Sequence, residues 1–275
     1  MELIPFFTSS DHMVFNDSII GIPAVTFTNW PDDFIHSSDD DLWQVDPTQM
    51  QRNAFVVAAA AVYLASLGPR EAPALAAQVH AGARRTLSSA FARATELLLL
   101  AAPPERVSAF RDGLNLIDQA ARRAAATLDS VRIFEPGPPL AARLDEWKNA
   151  LAAGGVSLRA SLADHFRLLT GQTELPALQL SEEEKRMASK VPEVAVSVAE
   201  YLEKRNSVRV SGLPSLMRYE VWNFVDGRRS YLDIYRAARA EAQSAGAWYY
   251  GTVNPKPVED LLEAGLQAGI LRLKK

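Results

Sequence analysis

The chain has 275 residues, 48% of them hydrophobic and 23% charged, a composition that fits one to three folded globular domains and excludes wholesale disorder. Lys and Arg number 29 against 33 Asp and Glu; the resulting net charge of −4 argues against generic polyanion binding, which needs a basic surplus on one face. With no cysteine, disulfides, thiolate metal sites, iron–sulfur clusters and cysteine nucleophiles are all excluded.

In chain order, Met1 to Phe7 lacks the basic region and longer apolar stretch of a signal peptide. Gly21–Thr28 (GIPAVTFT) reads as a strand entered through a Gly-Ile-Pro turn and filled with β-branched and aromatic residues. Trp30 to Asp41 is loop chemistry. Asp46 and Pro47 then open a helix as N-cap and first helical residue, and it runs to about Leu67 before Gly68-Pro69. Its apolar run, Ala54–Leu67, falls short of the roughly 18–20 residues that span a bilayer, so no membrane span is expected. The run reads as a buried helix whose alanine face packs closely against a sheet.

From Arg70 to Ser130 alanine, leucine and arginine recur at helical spacing, and Pro103-Pro104 divides the stretch into two long helices. A linker at Val131–Leu140 precedes a helix pair, about Leu140–Ala152 and Ser157–Leu169. Ser181 with Glu184 forms a capping-box pattern that starts a helix to about Asn206. Tyr219–Phe224, a turn at Asp226–Ser230, Tyr231–Ser244, Pro257–Ala268 and a terminal strand at Ile270–Leu273 read as a winged-helix-like domain. The resulting division is 1–68, 69–206 and 207–275.

Of the four histidines, His80 and His165 lie within helical patterns without an evident partner and read as ordinary helix residues. His12 and His36 lie in the loop-and-strand segment beside Asp11, Asp32, Asp33, Asp39, Asp40 and Asp41. An imidazole presented by a loop at a strand end is a usual zinc ligand, and nearby carboxylates can orient its second nitrogen. A solvated acidic loop is the plainer alternative.

The order of the residues carries a resemblance. Ser10-Asp11-His12-Met13-Val14-Phe15, then Gly21-Ile22-Pro23-Ala24-Val25, Trp30-Pro31-Asp32, His36-Ser37-Ser38-Asp39-Asp40 and Val45-Asp46-Pro47-Thr48 resemble one region of a known family. It is the closing segment of the catalytic domain in zinc-dependent aminopeptidases related to glutamate carboxypeptidase and glutaminyl cyclase, and it covers about residues 8–67. The resemblance implies an α/β fold with a central mixed sheet and two zinc ions bridged by a carboxylate and a water. It implies that His36 is a ligand of one zinc, with Asp11, His12 and Asp40 lining the same pocket, and that the whole protein hydrolyses peptides. Paired metals would acidify the bridging water, and a glutamate would move its proton.

The sequence departs from the family in three ways. No histidine is followed two residues later by aspartate; Val14, Ser38, Gly82 and Arg167 stand there. The run Glu182-Glu183-Glu184 follows His36 at a distance and reads as a solvated helix start, so it does not supply the family's Glu-Glu pair. Ile35 occupies the position where several members place an oxyanion-stabilising tyrosine. One histidine cannot close a zinc site of three or four ligands.

The expected protein is therefore mostly α, with a small N-terminal α/β remnant of a zinc-peptidase sheet, a helical middle region and a winged-helix-like end. It is expected to be the C-terminal portion of a metallo-exopeptidase, inactive as this chain, and self-associating through an unpaired sheet edge. The alternative is a non-catalytic scaffold that retains a remnant of the peptidase fold. Nucleic-acid binding is not expected: residues 207–275 hold ten Lys and Arg but seven Asp and Glu. The aromatic triplet Trp248-Tyr249-Tyr250 is expected in a core.

Overall fold

The structure, a computed structural model, describes residues 4–8, 10–28 and 32–274. Its elements are α1 (His12–Asn16), α2 (Pro47–Ser66), α3 (Ala72–Leu100), α4 (Arg106–Asp129), α5 (Pro138–Thr170), α6 (Glu182–Ala188), β1 (Pro192–Val194), α7 (Val198–Arg205), α8 (Ser215–Asn223), α9 (Tyr231–Ala245), α10 (Ala247–Tyr250), α11 (Pro255–Gln267) and β2 (Leu271–Leu273). The described residues are mostly helical, with one two-stranded antiparallel sheet. No described helix is long and apolar enough to cross a membrane.

Two cores organise the chain. The first lies within α3, α4 and α5, where Ala76, Ala83, Leu87, Ala90, Ala94 and Leu98 repeat along α3 at helical spacing and meet Phe110, Ile117, Leu128, Leu144 and Phe166. The small alanines let the helices approach closely. At the tightest point a Cβ on Gly113 would lie 2.8 Å from Leu162 Cδ2 and 3.1 Å from Ala94 Cβ. The pair Gly154-Gly155 does not divide α5, which is one helix of 33 residues where two were expected. Gly155 is buried, and a Cβ there would sit 3.1 Å from Ala121 Cβ. Close packing on α4 thus offsets the roughly 1 kcal/mol that glycine costs within a helix.

The second core gathers Met187, Tyr201, Met217, Val221, Trp222, Tyr231, Ile234, Leu261, Leu262 and Ile270 from α6 to β2. Its sheet pairs Pro192 with Leu273, Glu193 with Arg272 and Val194 with Leu271, so the expected terminal strand finds its partner about eighty residues upstream. The single helix expected from Ser181 to Asn206 is instead α6, β1 and α7. Pro192, with no N–H to give, opens the strand, and Ser197 starts α7 with a capping box of its own. Ser181 and Glu184 form the expected box, but Glu184 is not solvated: it is buried and accepts from Arg111 at 2.6 Å.

Arg111 is one of the bonds that hold the two cores together. Arg239 of α9 forks onto Asp112 of α4, Nε to Oδ1 at 2.7 Å and Nη2 to Oδ2 at 2.6 Å. The Asn115 amide donates to the Arg236 carbonyl at 2.9 Å. His80 stacks on Trp147 at 4.3 Å, where burial lowers its pKa, and His165 lies against Phe91 with Nδ1 3.4 Å from Thr95 Oγ1.

Candidate functional site

The loop between the expected strand and α2 is built by short aspartate bonds. The Asp32 carboxylate accepts from the N–H groups of Phe34 (3.1 Å) and Ile35 (3.0 Å), which turns the chain. Ser37 N–H donates to Phe34 O at 2.9 Å, and Ser37 Oγ accepts from Asp39 N–H at 3.2 Å. Asp41 caps the short 3-10 turn Leu42–Gln44, and Trp43 meets Phe34 edge to face at 5.6 Å. Asp46 then caps α2 by accepting from the N–H groups of Thr48 and Gln49, as expected.

His36 sits at the apex with φ of 64°. The left-handed region costs a non-glycine residue on the order of 1–3 kcal/mol, and such strain gathers at functional sites. Its imidazole is exposed and makes no hydrogen bond or ring contact among the described residues. Asp40 is exposed nearby, with only its N–H engaged, toward Ser37 O at 3.4 Å. Trp30 and Pro31 of the motif lie outside the described residues, as do Met1–Leu3 of the leader reading.

The structure does not bring His12 to this loop. His12 is buried on α1, its Nε2 2.9 Å from Phe7 O and its ring 5.5 Å from both Phe6 and Phe7. Its Nδ1 is buried with no partner among the described residues. Asp11, exposed at the N-cap of α1, bonds nothing through its side chain. Among the described residues no three His, Asp or Glu side chains come together as a metal-binding group. One imidazole and scattered loop carboxylates do not by themselves fit a zinc centre.

His12 instead belongs to a segment, roughly residues 4–24, that docks on the second core. Tyr249 and Tyr250 donate their hydroxyls to the carbonyls of Pro5 (3.1 Å) and Phe6 (2.7 Å), and Tyr219 donates to Met13 O at 2.6 Å. Phe6 stacks on Tyr219 at 5.3 Å. The anchor is an ion pair between Asp17, fully buried, and Arg205, whose guanidinium lies over the rings of Tyr201 (5.1 Å) and Tyr219 (5.5 Å). Burial pushes the Tyr201 hydroxyl up to about 12. Of the aromatic triplet, Tyr250 is in the core as expected, Tyr249 packs beside it, and Trp248 is exposed. Nothing in the local sequence context of Asp17 or Arg205 signals a pair 188 positions apart.

Gly21–Thr28 forms no strand, so the unpaired sheet edge expected there is absent. An isolated strand leaves its backbone groups unpaired. Here the Asn16 side chain takes the place of a neighbour, donating to Ala24 O at 2.9 Å and accepting from Ala24 N–H at 2.7 Å. Val25 is left 80% exposed.

Helix α2 is the larger departure. It contains no buried residue; Phe55 is 73% and Val62 69% exposed, and Met50, Val57 and Leu64 are exposed with them. The expectation of a buried helix therefore fails within this chain.

No protein-family model matches the chain, and neither a curated protein nor a solved structure shows significant similarity to it.

Proposed function

We propose that residues 8–67 are the closing segment of a zinc-dependent exopeptidase domain, with His36 as one ligand of a two-zinc centre and the remaining ligands and general base supplied by polypeptide outside this chain. On this reading the chain alone does not hydrolyse peptides. One observation supports it above the rest: the 20-residue α2, apolar on every side from Ala54 to Ala65 and with no buried residue, follows the strained His36 loop. Apolar surface on that scale marks a face made to be covered, and Val25 and Phe27, upstream of the loop, are exposed as well. A covering α/β domain would also supply the strand neighbours that Gly21–Thr28 lacks.

The last module supports a winged-helix-like reading, since α8, a turn, α9, α11 and β2 follow in the expected order. Its role is packing: Arg239 on α9, a side chain that a DNA reader would turn outward, is committed to Asp112.

The test is zinc content together with hydrolysis of aminoacyl-anilides by this chain after dialysis against zinc. Substoichiometric zinc and no turnover above buffer are expected. Two bound equivalents with turnover would overturn the reading.

A further inference from the structure

Where the three-helix bundle meets the second core, α3, α4 and α9 leave an open trough. Two adjoining cavities of about 270 and 570 Å³ form it, and both are walled by Arg123 and Ser244. Five arginines line it: Arg85 and Arg93 from α3, Arg122 and Arg123 from α4, and Arg229 from the turn before α9. This concentration arises in a chain whose net charge is −4, so it does not reflect a general basic surplus.

The trough's charge is only partly answered. Arg93 pairs with Glu96, and its Nε donates to Gln243 O at 3.0 Å. Arg229 pairs with Asp226 at 2.9 Å across its own turn. Among the described residues Glu241 is the one carboxylate in the lining, 3.8 Å from Arg123, so a single carboxylate faces five guanidinium groups there. Among the described residues Arg85 and Arg122 make no ion pair or hydrogen bond. Arg85, Thr86, Ser89 and Arg93 follow one another at helical spacing along the same face of α3, which sets two hydroxyls between two guanidinium groups.

We infer that this trough binds a small molecule carrying two or more phosphate groups. Guanidinium groups take phosphate oxygens in paired, charge-assisted hydrogen bonds. Arg93 follows Arg85 by eight positions of α3, a rise of about 12 Å, which is longer than a single phosphate can bridge. The inference is independent of the zinc-peptidase reading, since none of these residues lies within 8–67.

The test is calorimetric titration of the full chain with inorganic triphosphate at low and moderate salt. The trough variant Arg85→Gln with Arg123→Gln is compared with a control, Arg143→Gln with Arg209→Gln, which removes the same charge outside the trough. We expect one-to-one binding that weakens with salt, at least a tenfold loss in the trough variant, and retention in the control. Circular dichroism melts of both variants should lie close to the parent, since Arg123 meets Glu241 only at 3.8 Å and the Arg143–Glu146 pair in the control is solvent-exposed. Absence of binding by the parent chain, or equal weakening in the two variants, would overturn the assignment.

Discussion

Asp17→Ala should lower the unfolding free energy by about 3–5 kcal/mol, the loss typical of removing one partner from a buried ion pair. Arg205 would be left 7% exposed between Tyr201 and Tyr219 with its charge unanswered. The Asp17 carboxylate also accepts from Ile19 N–H at 3.2 Å, so the turn after α1 loosens as well. The double variant Asp17→Leu with Arg205→Met should recover much of the loss, because apolar side chains of similar volume do not need partners. Urea unfolding followed by circular dichroism measures both. An Asp17→Ala variant as stable as the parent would show that the buried Asp17–Arg205 pair does not anchor this segment.

Glu220→Gln should act in the opposite direction, and only above acidic pH. Burial first, and then the charge of Glu241, push the half-buried Glu220 carboxyl up to about 8 from an ordinary 4.5. The folded state therefore binds this proton more tightly than the unfolded chain does. That contribution to stability is fully present below pH 4.5 and is lost as pH rises toward 8. Glutamine reproduces the protonated shape without the titration. The variant is thus expected to match the parent near pH 4.5 and to exceed it by about 1–3 kcal/mol at pH 8. A difference that stays constant between those pH values would contradict this assignment of the burial.

Local chemistry was the legible part of this fold. Asp46, Pro47, Ser181 and Pro103-Pro104 each act within a few residues of themselves, and the structure places helix starts at Pro47 and Glu182 and ends α3 just before Pro103. Where tertiary packing outweighs local preference, the sequence misleads. Gly154-Gly155 reads as a break, yet Gly155 is buried against α4, and Pro192 reads as helix interior until Leu273 is seen beside it. His12 and His36 look alike as loop imidazoles near aspartates. Distant partners separate them: Tyr219, Tyr249, Tyr250 and Arg205 draw the segment of the first onto the second core. The apolar pattern of α2 and of Gly21–Thr28 reads as interior, yet among the described residues neither stretch holds a buried side chain. The arginines of the trough come from three separate stretches of sequence, so their convergence could not be read from any one of them.

The most direct measurement is zinc stoichiometry in a polypeptide extended in frame upstream of Met1, with and without His36→Ala. The account predicts that the extension carries a His-x-Asp motif and a Glu-Glu pair, that the extended protein holds two zinc ions and hydrolyses aminoacyl-anilides, and that His36→Ala loses one ion and the hydrolysis. An upstream frame without those motifs, or a His36→Ala protein that keeps both ions and full turnover, would contradict it.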